Sequence, residues 1–303
     1  MPRVAYLGPR GTFSQAALME MSARGMLTGT AEEVPTVSTP AALDAVRGGD
    51  ADYACVPIEN SIEGSVLPTL DSLAFGPPLQ VFGELTLDVA FSIVVAEHKT
   101  ADDVRSVAAF PVAAAQVRRW LAAHLPEAEV VPASSNAAAA ADVVHGRADA
   151  GVSTALAAEL YGLGTLASGV VDEPNARTRF VLAGPPGPPP ERTGADRTSV
   201  VLRLDNVPGA LVSAMTEFAI RDIDLTRIES RPTRTELGTY VFFLDCVGHI
   251  DDTPVAEALK ALHRRCADVM YLGSWPTGAP AGAVPPTTDE ESSWLERLRR
   301  GPR

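Results

Sequence analysis

Between residues 3 and 170 short apolar runs recur. Each is followed by a turn and an alanine-rich stretch with apolar positions at helical spacing, the alternation of an α/β domain. These runs predict strands at 3–7, 53–58, 89–96, 106–110, 130–132 and 150–152. Helices are expected between them at 14–26, 40–47, 111–125, 136–145 and 155–161. Thr39 ahead of Pro40, Pro111 in a first turn and Ser135-Asn136 before an alanine run are helix-start signals.

After residue 183 the pattern changes. Gly184-Pro185-Pro186-Gly187-Pro188-Pro189-Pro190-Glu191 suits neither helix nor central strand and marks a linker over 184–196. Beyond it, strands at 198–204, 224–232, 238–247 and 269–274 alternate with helices at 208–220 and 254–266, one βαββαβ unit of the ferredoxin-like kind over 197–275. The chain from Pro276 is rich in Pro, Gly, Ala and Thr and is expected to be a mobile tail with a short helix at 293–299.

Composition removes several function classes. A net charge of −13 over 303 residues opposes nucleic acid or an anionic membrane as main partner, so an anionic ligand must be held by local groups. Cys55, Cys246 and Cys266 form no Cys-x-x-Cys pair, and the five histidines show no ligand spacing, so no metal or disulfide framework is expected. The apolar start, Val4 to Leu7, is too short for a signal peptide, and a cytoplasmic location is expected.

Three segments carry candidate chemistry. Gly8-Pro9-Arg10-Gly11-Thr12-Phe13-Ser14 joins a strand to a helix, where free N–H groups and the helix dipole suit a carboxylate; a plain junction capped by Thr12 or Ser14 is the simpler reading. Pro57-Ile58-Glu59-Asn60-Ser61-Ile62-Glu63-Gly64 also ends a strand; Asn60 and Ser61 offer neutral donors, and Glu59 and Glu63 are either acid–base groups or solvated loop charges. Asn175-Ala176-Arg177-Thr178-Arg179-Phe180 places two arginines beside a hydroxyl, a corner suited to a dicarboxylate or an ordinary surface loop.

Taken together and in this order, the three segments resemble the hallmarks of the prephenate dehydratase family. The resemblance continues in Val207-Pro208-Gly209-Ala210-Leu211 and Glu229-Ser230-Arg231-Pro232, which are similar to the phenylalanine-binding signatures of its regulatory ACT domain. It implies a catalytic domain over 1–183, two-lobed like a type 2 periplasmic binding protein, with lobe 1 at about 1–80 and 172–183 and lobe 2 at about 81–171. It implies decarboxylation and dehydration of prephenate without a cofactor. Thr178 would assist loss of the ring hydroxyl, with Asn60, Ser61 and Gln116 as further catalytic candidates. Gly11, Thr12, Phe13, Glu63, Arg179 and Phe180 would contact substrate. Pro208, Gly209, Ala210, Leu211, Glu229, Ser230, Arg231 and Pro232 would bind phenylalanine as allosteric effector. The family's Ser-His-Pro is replaced here by Ala109-Phe110-Pro111, ahead of Gln116.

A homodimer or homotetramer through the ACT domains is expected. Arogenate as substrate, and a non-catalytic amino-acid sensor, are the alternatives.

Overall fold

The structure, a computed structural model, describes residues 1–278, 282–287 and 289–301. The chain forms two compact units, Met1–Leu70 with Leu85–Leu182, and Asp71–Glu84 with Ala183–Arg303.

The first stretch runs β1 (Arg3–Leu7), α1 (Phe13–Ala23), β2 (Glu32–Thr36), α2 (Thr39–Arg47), β3 (Tyr53–Asn60), β4 (Gly64–Ser65), α3 (Leu67–Phe75) and β5 (Gln80–Asp88). It continues with β6 (Phe91–Val95), β7 (Ser106–Ala109), α4 (Pro111–Gln116), α5 (Arg118–His124), β8 (Glu129–Pro132), α6 (Asn136–Val144), β9 (Ala150–Ser153), α7 (Ala155–Tyr161), β10 (Gly164–Val170) and β11 (Arg177–Gly184). One sheet has the order β2-β1-β3-β11-β5 with β4 on β3, and a second the order β10-β6-β9-β7-β8. Each has its own core: Val4, Tyr6, Leu18, Met21 and Phe180 in one, Phe91, Ile93, Val107, Val117 and Val152 in the other.

Several local expectations are corrected. Ser38, not Thr39, caps α2, its hydroxyl accepting from Ala41 N. The helix expected over 111–125 is two helices, because the Gln116 carbonyl accepts Asp172 N at 2.6 Å while the Asp172 carboxylate takes Arg119 N at 2.8 Å. An outside partner has replaced the intrahelical one. β5 belongs to the first sheet, so the chain passes between sheets near Val89 rather than near Gln80. The unforeseen strands β2, β5 and β10 all end a sheet order, where one pairing side suffices and polar residues or Pro35 are tolerated.

Asp149 ties the second sheet together at its rim. Its carboxylate takes Lys99 Nζ at 2.6 Å, Arg105 N at 3.0 Å and Ser106 N at 3.1 Å. The Lys99 hydrogen bond foremost, then that from Arg105 N, hold its pKa down at about 2. Because the folded pKa lies below the unfolded one, the stabilisation is present above about pH 4 and is lost as pH falls toward 2. Asp149→Asn is expected to flatten that part of the acid limb, read by circular dichroism in an acid titration; an unchanged limb contradicts it.

The second unit contains β12 (Asp196–Arg203), α8 (Ala210–Ala219), β13 (Leu225–Pro232), β14 (Tyr240–Val247), α9 (Thr253–Arg265) and β15 (Asp268–Pro276). The strands form an antiparallel sheet, β13-β14-β12-β15, the ferredoxin-like order for βαββαβ connectivity. Helices α8 and α9 share a core with Val200, Leu202, Leu244 and Cys246.

Residues 71–84 also belong to this unit. Gly273, at φ +132°, lies so close to the Val81 carbonyl that a Cβ would strike it. Glu84 accepts Trp275 Nε1 at 3.0 Å. Asp245, 1% exposed, accepts Arg227 Nε at 2.9 Å, Nη2 at 3.1 Å and Ser199 Oγ at 2.7 Å.

The tail expected from Pro276 partly falls outside the described residues; within them α10 (Asp289–Arg300) has 12 residues and is longer than the helix expected over 293–299. No helix among the described residues is long and apolar enough to cross a membrane.

Candidate active site

In the first unit a cavity of about 750 Å³ opens at the carboxyl ends of strands and the N-termini of helices, the usual ligand position in open α/β sheets. Helix α1 enters it with Thr12, Phe13 and Ser14, and α6 with Ser135 and Asn136. Thr12 is the cap of α1: its hydroxyl accepts Gln15 N at 3.3 Å and donates to the Leu7 carbonyl at 2.8 Å. Ser135 caps α6 in the same way, accepting Ala138 N at 3.0 Å. The first-turn N–H groups of two helices therefore converge on one space, where their dipoles favour negative charge.

Gly11 supports this arrangement instead of lining it. Its N–H donates to Gln15 Oε1 at 2.6 Å, and its carbonyl accepts the Thr154 hydroxyl, also at 2.6 Å. At φ +89° it sits so near α7 that a Cβ would come within 2.9 Å of Ala157 Cβ. Glycine serves here both for the left-handed backbone and for close approach.

Strand alternation sorts the third segment. Thr178 and Phe180 line the cavity, and the residues between and beside them point the other way. Arg179, 7% exposed, bonds Glu59 Oε2 through Nε at 3.1 Å and Nη2 at 3.0 Å, and Arg177 bonds Asp88 at 2.9 Å. Arg179, expected as a substrate contact, is not among the residues lining this cavity: period-two geometry puts it on the strand face away from Thr178, against Glu59.

Asn60 connects the second segment to the third. Its Nδ2 donates to Thr178 Oγ1 at 2.9 Å, while its Oδ1 accepts Ile62 N at 2.8 Å and Glu63 N at 3.0 Å. The turn thus fixes the amide, and the amide occupies an acceptor site of Thr178. The threonine's own proton is left to be donated elsewhere. Ser61 is used in bracing: its hydroxyl donates to the Asn175 carbonyl at 3.0 Å and accepts Arg177 N at 2.8 Å. Glu63 is exposed and gives only its N–H to this turn. Gln116 is 6% exposed and does not line the cavity; its Oε1 is buried without a hydrogen-bond partner among the described residues.

Arg10, Pro35, Thr36, Val37, Phe110, Ser134 and Asn136 also line the cavity, although none of them was expected as a site residue. The usable signal was positional, since several directly follow a strand. Burial pushes the Cys55 and Cys246 thiols up to about 12, so neither supplies a nucleophile. Among the described residues no cluster of three His, Cys, Asp or Glu would hold a metal.

In the second unit a separate cavity of about 420 Å³ is lined by Asn206, Val207, Gly209, Ala210, Leu211 and Tyr240, among others. Pro208 borders an adjoining cavity of about 290 Å³. Arg231 turns to Asp71, with Nε–Oδ1 at 2.8 Å.

Comparison with known proteins agrees with both units. A sequence model described as prephenate dehydratase matches residues 4–186, and one described as ACT domain matches residues 198–264. A prephenate dehydratase of Mycobacterium sp. (strain JLS) is 74% identical over 99% of this chain and 97% of its own. One from Mycolicibacterium vanbaalenii is 73% identical over 99% of each chain. The crystal structure of prephenate dehydratase in complex with L-Phe from Arthrobacter aurescens is 39% identical, with a TM-score of 0.88 over 99% of this chain and 100% of that one. With the cavity, its two converging helix ends and the Asn60–Thr178 pair in place, the matches over nearly the whole length make this chain a member of the prephenate dehydratase family.

Proposed function

We infer that the chain is a carbon–oxygen lyase converting prephenate to phenylpyruvate, CO2 and water, with phenylalanine as effector. The observation that carries the chemistry is the Asn60–Thr178 hydrogen bond of 2.9 Å, with Thr178 lining the cavity. Prephenate is a dianion. The first-turn amides of α1 and α6, with Arg10 at the rim, give its carboxylates seats in a chain of net charge −13.

The ring-to-carboxylate bond breaks to release CO2, and its electron pair moves into the ring. The ring hydroxyl departs from the opposite carbon with its bonding electron pair and becomes water by taking up one proton from solvent. Thr178, held by Asn60, donates a hydrogen bond to that leaving oxygen. A threonine hydroxyl is a very weak acid, so its contribution is placement and charge stabilisation, and aromaticity of the product supplies the driving force. Phe13 and Phe180 give the ring an apolar wall.

Residues 1–183 form the catalytic domain in this reading, 184–196 the linker and 197–275 the ACT domain. The second-unit cavity of about 420 Å³ receives phenylalanine against Val207, Gly209, Ala210 and Leu211, as the L-Phe complex of the Arthrobacter aurescens protein supports. The edge strands β13 and β15 offer pairing surfaces for a homodimer or homotetramer. Three free thiols suit a cytoplasmic enzyme.

Steady-state turnover of prephenate and of arogenate by the purified protein, each with and without phenylalanine, tests this reading. Prephenate is expected to be the better substrate, and phenylalanine to change its turnover. Preference for arogenate, or no turnover of either, overturns the assignment.

A further inference from the structure

Arg231 belongs to the segment expected to touch the effector, yet its guanidinium is committed elsewhere. It makes a two-pronged bond to Asp71, Nε to Oδ1 at 2.8 Å and Nη2 to Oδ2 at 3.0 Å, with both side chains 13% exposed. Arg234 bonds the same carboxylate. Bidentate pairs of this kind fix orientation as well as distance.

Asp71 lies in α3, and α3 also reaches the neighbourhood of the effector cavity. Its Phe75 lines a cavity of about 250 Å³ together with Arg203, Leu204, Thr239 and Tyr240. Those same four residues line the larger cavity of about 420 Å³. Pro232, at the end of β13, is paired with Tyr240 in the sheet.

Along the chain, the segment containing Asp71 leads in both directions to the reacting centre. Upstream, α3 follows β4, and β4 pairs with Glu59 and Asn60. Downstream, β5 is the sheet neighbour of β11, which carries Thr178. Residues 71–84 count with the second unit, while the chain on either side of them counts with the first.

We propose that Asp71 is a positioning residue for regulation: gripped by Arg231 and Arg234, it ties the end of β13 and the wall of the effector cavity to α3, and so to the turn that sets Asn60 against Thr178. Occupancy of the cavity by phenylalanine moves Tyr240 and the β13 end, and α3 passes the displacement to Asn60. Arg231 acts as the grip on α3, not as a ligand to the effector. This rests on the reading of prephenate as substrate and phenylalanine as effector.

The test compares wild type with Asp71→Asn and Asp71→Glu. Three quantities are read: phenylalanine binding by calorimetry, the effect of phenylalanine on prephenate kcat and KM, and amide hydrogen exchange over residues 59–66 with and without phenylalanine. For Asp71→Asn we expect phenylalanine binding and effector-free turnover close to wild type, with the response to phenylalanine weakened about fivefold or more. The exchange change over 59–66 should shrink with it, and Asp71→Glu should recover much of both. A wild-type response in Asp71→Asn overturns the proposal. So does loss of phenylalanine binding in a folded Asp71→Asn protein, since that makes the pair part of the ligand site. Should the wild type turn over no prephenate, the substrate reading fails, and the exchange measurement still decides whether Asp71 couples the cavity to residues 59–66.

Discussion

Thr178→Ala is expected to lower kcat about 100-fold or more while leaving KM for prephenate little changed, because the lost hydrogen bond forms chiefly as the ring hydroxyl departs. Thr178→Ser keeps a hydroxyl within reach of Asn60 and should retain much of the rate. Asn60→Ala should cost a similar factor, and the double variant little more than either, since the amide acts only through the threonine it orients. Steady-state kinetics beside far-ultraviolet circular dichroism separate this outcome from misfolding. A folded alanine variant with full activity would remove Thr178 from the chemistry.

Arg227→Met should be among the most destabilising single changes in the second unit. Asp245 is 1% exposed, and the guanidinium supplies two of its hydrogen bonds, at 2.9 and 3.1 Å. Without it a buried carboxylate keeps Ser199 and the more distant Arg197, at 3.6 Å. Removing one partner of a buried pair costs about 3 kcal/mol, mostly as desolvation of the charge left behind. Adding Asp245→Asn to Arg227→Met should therefore return part of the loss. Urea unfolding of both variants measures the difference; equal stability of Arg227→Met and wild type would show that the buried charge is solvated some other way.

The sequence disclosed those parts of the fold whose determinants are local. Central strands such as β1 and β9 are short apolar runs, and α7 has its cap, Thr154, and its terminating glycine, Gly162, directly at its ends. β2, β5 and β10 were not legible because an edge strand needs no continuous apolar run. The break between α4 and α5 was not legible, since its cause, Asp172, lies far along the chain. In the candidate site, the Asn60 and Thr178 segments were recognised, but their 2.9 Å contact spans 118 residues. Arg179 shows the opposite limit. Its type suited a carboxylate, and only strand geometry reveals that it faces Glu59.

The assignment of residues 71–84 to the second unit bears on how such a gene tolerates cutting and splicing. A linear reading makes the proline-rich linker the obvious seam, with a catalytic piece before it and a regulatory piece after it. Yet Gly273 of β15 packs on the Val81 backbone, and Trp275 bonds Glu84. Severing the chain at the linker would strip cover from a stretch of the piece retained, and a foreign ACT domain grafted there would have to supply the same glycine, tryptophan and arginines. Recombination at that seam is therefore constrained by surface matching, and the two halves are expected to have been inherited together.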